Sequence, residues 1–283
     1  MRILVTGARG QLGQELQQVL QGEEVIAADQ PEYELTDSKL GEQIAAQRPD
    51  LVIHAAAYTD VDGCERDPDL AFRVNVEGTR RVAEGTTKAG ARLLCLSTDY
   101  VFDGKKTEPY TEQDPVNPIN VYGRSKLMGE KEALKVCPKA LIVRTSWLYG
   151  MHGKNFVKTI LCLAATQPEI KVVNDQRGSP TYARDLAGVI VELIGRDRRG
   201  VVHAGGEGAC TWYEFACAIT QEAGYSCRVV PISTAESGRL AVRPAYSVLS
   251  TALLRRYGLR LPPWQDGLHR FMAERATEIA AST

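Results

Sequence analysis

The sequence lacks the features that mark membrane, secreted and nucleic-acid-binding proteins. The apolar run of the opening MRILVTG is far shorter than the roughly 7 to 15 residues of a secretory signal core or the roughly 20 of a membrane span. Basic residues form only short pairs such as Lys105-Lys106, and the formal net charge is -1. We therefore expect a cytoplasmic protein that binds neither nucleic acid nor an anionic membrane surface.

The cysteines and histidines lack the spacings of disulfide frameworks and metal sites. The odd number of cysteines leaves at least one thiol unpaired, and no two of them form a C-x-x-C pair: Cys64, Cys95, Cys137, Cys162, Cys210, Cys217 and Cys227. The histidines are equally scattered, at His54, His152, His203 and His269. We expect reduced thiols and no bound metal.

Internal repeats and low-complexity tracts are absent too, so the chain is not a repeat array. Its 283 residues are 44% hydrophobic and 24% charged, which is ordinary for a globular protein and argues against disorder. This length suffices for one large core or for two unequal lobes. The sequence leaves the oligomeric state open, and a homodimer is compatible with it.

The first 20 residues change their hydrophobic period at a glycine-rich turn. Ile3 to Val5 form a continuous apolar run that is typical of a strand buried on both faces. Apolar residues then recur at helical spacing, at Leu12, Leu16, Val19 and Leu20. Between them Gly7, Gly10 and Gly13 read G-x-x-G-x-x-G. Such a turn lets backbone approach a diphosphate and directs a helix N-terminus at it, although a tight turn without a ligand is the alternative.

Two residues near this turn point to different dinucleotides. Asp29 ends the next predicted strand, EEVIAAD, where an acidic side chain can accept hydrogen bonds from the adenosine ribose and favours NAD. Arg9, inside the turn, could instead meet the 2′-phosphate of NADP. A solvated carboxylate and a surface arginine are the plainer interpretations, and the choice between the cofactors stays open.

Further strands and helices alternate along the chain. Apolar segments typical of strands follow the first two, at residues 50–57 (DLVIHAAA), 91–98 (ARLLCLST), 140–147 (ALIVRTSW) and 169–175 (EIKVVND). The alternation with helical segments predicts an α/β fold with a doubly wound, Rossmann-like parallel sheet. Ligands on such sheets bind beyond the carboxyl ends of the strands.

The second half of the chain is less regular and predicts a smaller substrate lobe. We assign residues 1–145 to a nucleotide-binding lobe, to which about 172–205 return, and residues 146–171 and 206–283 mainly to the substrate lobe. GKNFVKTILCLAATQ and CTWYEFACAITQEAG both have helical periodicity. Their aromatic residues are more typical of core than of a ligand site.

Polar and small residues at the predicted strand ends form a candidate site with the VYGRSK segment. Ala55 to Ala57 leave room for a cofactor, or pack closely against a helix. Thr98 and Asp99 follow an apolar strand and are either site residues or a structural cap. Tyr122 and Lys126 are four residues apart, so a helix places both on one face.

This set of residues fits the reduction of a carbonyl group. A hydride that reaches a carbonyl carbon builds negative charge on the oxygen, and an acid must then supply a proton. Tyr122 can serve as that acid, although a tyrosine has a reference pKa of about 10. We expect the charge of Lys126 to lower that pKa toward neutral by about two units at an effective dielectric near 20. Lys126 could also bind the nicotinamide ribose, and Thr98 the substrate oxygen.

The motifs resemble those of extended short-chain dehydrogenases/reductases that act on nucleotide sugars. They are G-x-x-G-x-x-G at Gly7 to Gly13, LSTDYVFDG at Leu96 to Gly104 and YGRSK at Tyr122 to Lys126. More narrowly, the sequence is similar to the dTDP-4-dehydrorhamnose reductase family. AAAYTDVD, STDYVF, RTSWLYG, GKNFVKT, DQRGSPTYARDLA and RPAYSVLS follow the order of that family along nearly the whole chain.

The resemblance implies an activity, a cofactor and a set of site residues. The activity is reduction of the C4 ketone of dTDP-4-dehydro-6-deoxy-L-mannose to dTDP-L-rhamnose with NADPH or NADH. Thr98, Tyr122 and Lys126 are the implied catalytic residues, and Asp99 and Trp147 join Thr98 and Tyr122 in contacting the sugar nucleotide. Tyr122 and Lys126 also belong to the implied cofactor site, with Gly7, Gly10, Gln11, Leu12, Gly13, Asp29, Glu34, Leu35, Ala55, Ala56 and Ala57.

Two departures and three rival functions remain, and reduction of another nucleotide sugar is a further alternative. Tyr246 stands where the family often has asparagine, which puts local substrate-lobe contacts in doubt, and His54 replaces the asparagine often found before the alanine run. A dehydratase of the same fold would pair an aspartate with an adjoining glutamate, whereas Tyr100 follows Asp99 here. An epimerase would need bases on both sides of the sugar, and the third rival is a non-catalytic, cofactor-binding regulatory subunit.

Overall fold

A parallel sheet forms the centre of the computed structural model, which describes residues 1–282 and side chains through residue 278. In this part of the chain the sheet has six strands in the spatial order β2-β1-β3-β4-β5-β10. They are β1 (Arg2–Thr6), β2 (Glu24–Ala28), β3 (Leu51–His54), β4 (Arg92–Thr98), β5 (Leu141–Thr145) and β10 (Gly200–His203). All neighbouring pairs run parallel. The predicted α/β fold is therefore confirmed.

Helices cover both faces of this sheet. The helices of the chain are α1 (Gln11–Val19), α2 (Leu40–Ala46), α3 (Val61–Arg66), α4 (Pro68–Phe72), α5 (Thr79–Ala89), α6 (Val121–Val136), α7 (Phe156–Thr166), α8 (Ala183–Gly195), α9 (Trp212–Glu222), α10 (Ala252–Arg256) and α11 (Trp264–Ser282). A π-helical turn at Arg73–Gly78 joins α4 to α5. None of the described helices is long and apolar enough to cross a membrane.

Strand β1 shows how the sheet is buried from both sides. Ile3 and Val5 face α1 and α8 in one hydrophobic cluster, while Leu4 faces α2 and α5 in another. All three side chains are fully buried. A strand that is covered on both faces needs the continuous apolar run that the sequence shows. The predicted doubly wound arrangement is confirmed.

One predicted strand of the central sheet lies elsewhere. Segment 169–175 forms β7 (Glu169–Val173), which pairs with β12 (Arg228–Ile232) in a separate parallel ladder. Its residues alternate between exposed and buried, as expected for a strand with one face in solvent. The last central strand is instead β10, which pairs with β5 and carries only two apolar residues between Gly200 and His203.

A second core lies beneath α7, α9 and α11. Its members are mostly large apolar side chains, including Val157, Ile160, Leu161, Ile170, Val172, Phe215, Ile219, Leu268 and Phe271. Both helices predicted here are confirmed as α7 and α9. Two short ladders, β6 (Leu148–Tyr149) with β9 (Thr181–Tyr182) and β8 (Arg177–Gly178) with β11 (Cys210–Thr211), complete this region. The exact lobe boundaries given above stay a prediction.

Candidate active site

A cleft of about 1050 Å³ opens at the carboxyl ends of the central strands. The chain leaves β1 for β2 on one side and returns to β3 on the other, so the strand order reverses between β1 and β3. Such a switch point separates the loops that follow the two strands and thereby makes a crevice. The cleft is lined by residues that follow β1, β2, β3, β4 and β5.

The turn after β1 has a geometry that requires glycine at two positions. Gly7 has φ +69°, in the left-handed region that side chains disfavour. A Cβ on Gly13 would lie 2.1 Å from the carbonyl oxygen of Gly7, so α1 could not approach the turn as closely. Gly10 caps α1 in an extended conformation. The first turn of α1 thus faces the cleft with its backbone amides available to an anion.

Asp29 and Arg9 lie together at the β2 side of the cleft. The Asp29 carboxylate accepts from the backbone amides of Arg9 (2.7 Å) and Gln30 (2.8 Å), so it ties the glycine-rich turn to the end of β2. Arg9 Nη1 donates to the Gln30 carbonyl at 2.7 Å. The Arg9 side chain is exposed, and it forms no ion pair with the side chains described, those of residues 1–278. Arg9 therefore presents an unneutralised guanidinium beside an already engaged carboxylate.

His54, at the end of β3, is part of a buried hydrogen-bond network. Its Nδ1 lies 2.7 Å from the Thr6 hydroxyl and its Nε2 lies 3.0 Å from the Thr79 hydroxyl. Burial and, to a smaller extent, the charge of Lys126 lower the pKa of His54 to about 3, so the imidazole is neutral at pH 7. The three residues after His54 are Ala55 to Ala57, which line the cleft.

Asn75 is a buried residue behind the cleft lining, and it was not among the site residues predicted from the sequence. It lies in the π-helical turn and is 1% exposed. Its side chain accepts from the amide of Tyr58 (2.8 Å) and donates to the Tyr58 carbonyl (3.0 Å) and the Ser125 hydroxyl (2.9 Å). Asn75 thus connects the loop after β3 to the helix that carries Tyr122. From the sequence alone, an amide between two valines in RVNVEGT could either brace the active-site backbone or interrupt a helix surface, and these contacts favour the first interpretation.

Helix α6 places Tyr122 in its first turn and Lys126 in its second. The helix begins at Val121 because the Asn120 side chain accepts from the amide of Gly123 at 2.7 Å. Lys126 is 8% exposed, and its Nζ donates to the carbonyl of Leu96 at 2.9 Å. Thr98 ends β4 and is 6% exposed. Thr98, Tyr122 and Lys126 all line the cleft.

The electrostatics of Tyr122 differ from the sequence-based expectation. Burial raises the pKa of Tyr122 well above its ordinary value, and the hydrogen bond with Thr98 is the largest opposing influence. Burial also lowers the pKa of Lys126. The expected shift of the Tyr122 pKa toward neutral pH is therefore wrong, because desolvation of the buried phenol dominates. Tyr122 is a neutral phenol at pH 7.

Two buried polar atoms in the cleft have no hydrogen-bond partner within the described residues. They are Asp99 Oδ2 and the hydroxyl of Thr145. Thr145 ends β5 directly beside Thr98 in the strand register. Burial raises the pKa of Asp99 to about 7, although hydrogen bonds from Ser247 and Thr98 lower it. Buried groups of this kind are normally satisfied, so both atoms are candidates for contact with a bound molecule.

Trp147 forms the wall of the cleft on the side of the second core. It has φ +46°, an uncommon value for a bulky residue. Its indole stacks on that of Trp212 with ring centroids 3.4 Å apart and planes 6° from parallel. Trp212 in turn contacts Phe156. The strained backbone therefore holds Trp147 between the cleft and the core beneath α7 and α9.

All site residues predicted from the sequence line this one cleft. The dinucleotide set comprises Gly7, Gly10, Gln11, Leu12, Gly13, Asp29, Glu34, Leu35, Ala55, Ala56 and Ala57, and the others are Thr98, Asp99, Tyr122, Lys126 and Trp147. Their individual roles stay predictions. The cleft also contains residues that were not predicted, among them Tyr33, Tyr58, Ser97, Thr145, Ser146 and Lys154. Across the described part of the chain, no three His, Cys, Asp or Glu side chains form a group that could hold a metal ion.

The sheet order, the glycine-rich turn and the cleft at the switch point define a Rossmann-type α/β protein with a dinucleotide-binding site. Comparison with known proteins places it more narrowly. The chain belongs to the family described as RmlD substrate binding domain, which matches residues 1–277. The resemblance stated from the motifs is thereby confirmed.

The chain is similar over nearly its full length to several known proteins. The chain is 42% identical to the spore coat polysaccharide biosynthesis protein SpsK of Bacillus subtilis (strain 168), over 98% of both chains. It is 40% identical to a dTDP-4-dehydrorhamnose reductase of Aggregatibacter actinomycetemcomitans, over 96% of this chain and 98% of that one. A crystal structure of dTDP-4-dehydrorhamnose reductase from Bacillus anthracis str. Ames in complex with NADP has a TM-score of 0.94 and 43% identity, over 96% of this chain and 99% of that one.

Proposed function

We propose that this protein reduces the C4 ketone of dTDP-4-dehydro-6-deoxy-L-mannose to dTDP-L-rhamnose with NADPH or NADH. The observation that carries the proposal is the single cleft in which Thr98, Tyr122 and Lys126 lie opposite the glycine-rich turn. The names of full-length relatives at about 40% identity support the substrate. The Bacillus anthracis relative in complex with NADP supports the cofactor.

The residues of the cleft fit the binding of a reduced dinucleotide. The backbone amides at the start of α1 suit the diphosphate of the dinucleotide. Asp29 and Arg9 lie where the adenosine ribose would bind, and Lys126 suits the nicotinamide ribose. When bound, this cofactor supplies the hydride that adds to the C4 carbon. The carbonyl oxygen thereby gains negative charge, which the hydroxyls of Thr98 and Tyr122 stabilise by hydrogen bonds.

Tyr122 then donates its proton to that oxygen. A phenol with a raised pKa remains protonated at pH 7, which is the state that a proton donor requires. The acceptor is an alkoxide, whose conjugate acid is about as weak as water with its pKa of ~15.7, so the transfer is favourable in spite of the raised pKa. The charge of Lys126 stabilises the tyrosinate that remains, and solvent returns the proton.

Asp99 and Trp147 are the residues that we assign to the sugar nucleotide. Asp99 offers an unpaired carboxylate oxygen and Trp147 a planar apolar surface. Tyr246, which departs from the family pattern, lines a separate, smaller cavity with Pro109, Glu207 and Arg255. The departure at Tyr246 therefore lies outside the main cleft.

A spectrophotometric assay tests the proposed reaction. Purified protein, given the ketosugar product of the preceding epimerase, should oxidise NADPH or NADH and yield a product that co-migrates with dTDP-L-rhamnose. If neither NADPH nor NADH is consumed at any enzyme concentration, the reductase proposal is wrong. Tight dinucleotide binding without turnover would instead favour the regulatory-subunit alternative.

Arg9→Gln should weaken NADPH binding more than NADH binding. The guanidinium, which donates to the Gln30 carbonyl but has no ion-pair partner among the described side chains, can pair with a 2′-phosphate. Loss of one such charge-assisted contact should raise the Kd of NADPH about tenfold. The Kd of NADH should change by less than about threefold, since it lacks that phosphate. Nicotinamide fluorescence titration measures both constants.

The control for this prediction is Arg80→Gln, which removes an exposed arginine on α5 that pairs with Glu84. It should leave both constants unchanged. Equal weakening of NADPH and NADH by Arg9→Gln would show that Arg9 only shapes the turn.

We also propose a cytoplasmic location, which is supported by the absence of any disulfide among the seven cysteines, all within the described residues. Assembly as a homodimer stays a prediction, and analytical ultracentrifugation of the purified protein would test it.

A further inference from the structure

Helix α6 carries a third residue on the face that bears Tyr122 and Lys126. Glu130 lies four residues beyond Lys126 and eight beyond Tyr122, so the three side chains follow one another along the helix. Glu130 is 6% exposed and does not line the cleft. A carboxylate is costly to bury, so its surroundings must compensate for the loss of water.

Arg144 and Ser97 provide that compensation. Arg144 holds both Glu130 oxygens in a bidentate pair, with Nε at 2.8 Å and Nη2 at 2.7 Å. The Ser97 hydroxyl also donates to Glu130. Ser97 and Arg144 are register partners on β4 and β5, so one carboxylate ties α6 to both strands.

These contacts fix the helix directly beside the catalytic strand end. Lys126 donates to the Leu96 carbonyl, and the next residue along β4, Ser97, donates to Glu130. The residue after that is Thr98. Two successive anchors on β4 therefore set the position of Tyr122 relative to Thr98.

The negative charge of Glu130 also acts on Lys126 and favours its protonated form. Besides Glu130, the titratable groups coupled electrostatically to Lys126 are Cys95 from β4 and His54 from β3, and Tyr122 lies one turn before Lys126 on α6. All three are neutral at pH 7, because burial raises the pKa of Cys95 to about 12, lowers that of His54 to about 3 and raises that of Tyr122. Arg144 is positive and is itself paired with the Glu130 carboxylate. Of these groups, only Glu130 carries a negative charge that can stabilise protonated Lys126.

We propose that Glu130, held by Arg144 and Ser97, is a positioning residue that keeps Lys126 charged and aligns Tyr122 with Thr98. It acts through Lys126 and touches neither substrate nor cofactor. The inference rests on the proposed reductase function for its kinetic readout. Its binding readout, the pH dependence of dinucleotide affinity, needs no turnover.

Glu130→Gln is the first test, because the amide keeps the size and most hydrogen bonds of the carboxylate but removes its charge. Lys126 should lose its proton more readily, so the alkaline limb of kcat/KM should move to lower pH by about 1 unit. The Kd of NADPH should rise over the same lower pH range. Glu84→Gln, which neutralises an exposed partner of Arg80, is the matched control and should shift neither profile.

A double variant separates this role from a purely structural one. Loss of one partner of a buried ion pair is destabilising, whereas replacing both with apolar residues is often neutral. Glu130→Leu with Arg144→Leu should therefore recover most of the thermal stability that Glu130→Leu alone loses. The pH profile should remain shifted, since no negative charge faces Lys126 in either variant.

Two results would overturn the inference. One is a folded Glu130→Gln protein whose pH profiles of kcat/KM and of NADPH affinity match the wild type. The other is a double variant whose recovered stability brings back the wild-type profiles, because activity would then simply follow folding. If the wild-type protein turns over no ketosugar, the proposed function fails, but the profiles of NADPH affinity still decide the role of Glu130.

Discussion

Replacement of Tyr122 by Phe should lower kcat by about 10²- to 10⁴-fold, the usual contribution of a positioned general acid. The phenyl ring retains the volume of the side chain and its edge contact with Tyr100, so the helix should keep its place. Only the proton donor and the hydrogen bond with Thr98 disappear. The Kd of the dinucleotide should stay within about threefold of wild type, and single-turnover rates with titrated cofactor would measure both effects.

Tyr257→Phe is the control for this variant, since Tyr257 lies outside the cleft and packs against Arg198. It should leave kcat unchanged. A normal kcat for Tyr122→Phe would remove the phenol from the mechanism and leave Thr98 as the remaining hydroxyl beside the carbonyl.

Lys126→Met should damage both cofactor binding and turnover. The variant removes the charge that stabilises the tyrosinate and the donor that suits the nicotinamide ribose, so we expect at least about a tenfold higher Kd and about a 10²-fold lower kcat. It also leaves the Leu96 carbonyl without its 2.9 Å donor. Fluorescence titration and steady-state kinetics measure the two losses separately.

Lys131→Met provides a matched control on the same helix, because Lys131 is exposed. It should behave as wild type in both assays. An unchanged cofactor Kd in Lys126→Met would contradict the ribose role, and an unchanged kcat would contradict the electrostatic one.

The sequence was informative where a residue type is dictated by backbone geometry or by chemistry. Gly7 and Gly13 could be identified because a positive φ favours glycine at Gly7 and because a Cβ on Gly13 would lie only 2.1 Å from the Gly7 carbonyl oxygen. Thr98, Tyr122 and Lys126 could be identified because each suits a distinct role in the proposed carbonyl reduction. The strands β1, β3, β4 and β5 could be predicted because burial on both faces requires uninterrupted apolar residues.

Other features depend on partners that are distant in sequence. The segment that forms β7 looked like a strand of the central sheet, and only its pairing with β12, almost 60 residues away, shows otherwise. Asn75 and Glu130 acquire their significance from Tyr58, Ser125, Ser97 and Arg144. The wrong direction for the pKa of Tyr122 has a similar origin. A pairwise Coulomb estimate from helix spacing contains no desolvation, and desolvation dominates in the folded cleft.

The stack of Trp147 on Trp212 has a practical consequence for spectroscopy. The chain has only three tryptophans, and two of them form this parallel pair at the wall of the cleft. Two indoles at such close range couple electronically. This pair should therefore contribute much of the near-ultraviolet circular dichroism and tryptophan emission of the protein. A molecule that binds against Trp147 should change that signal, so its binding could be followed without an added label.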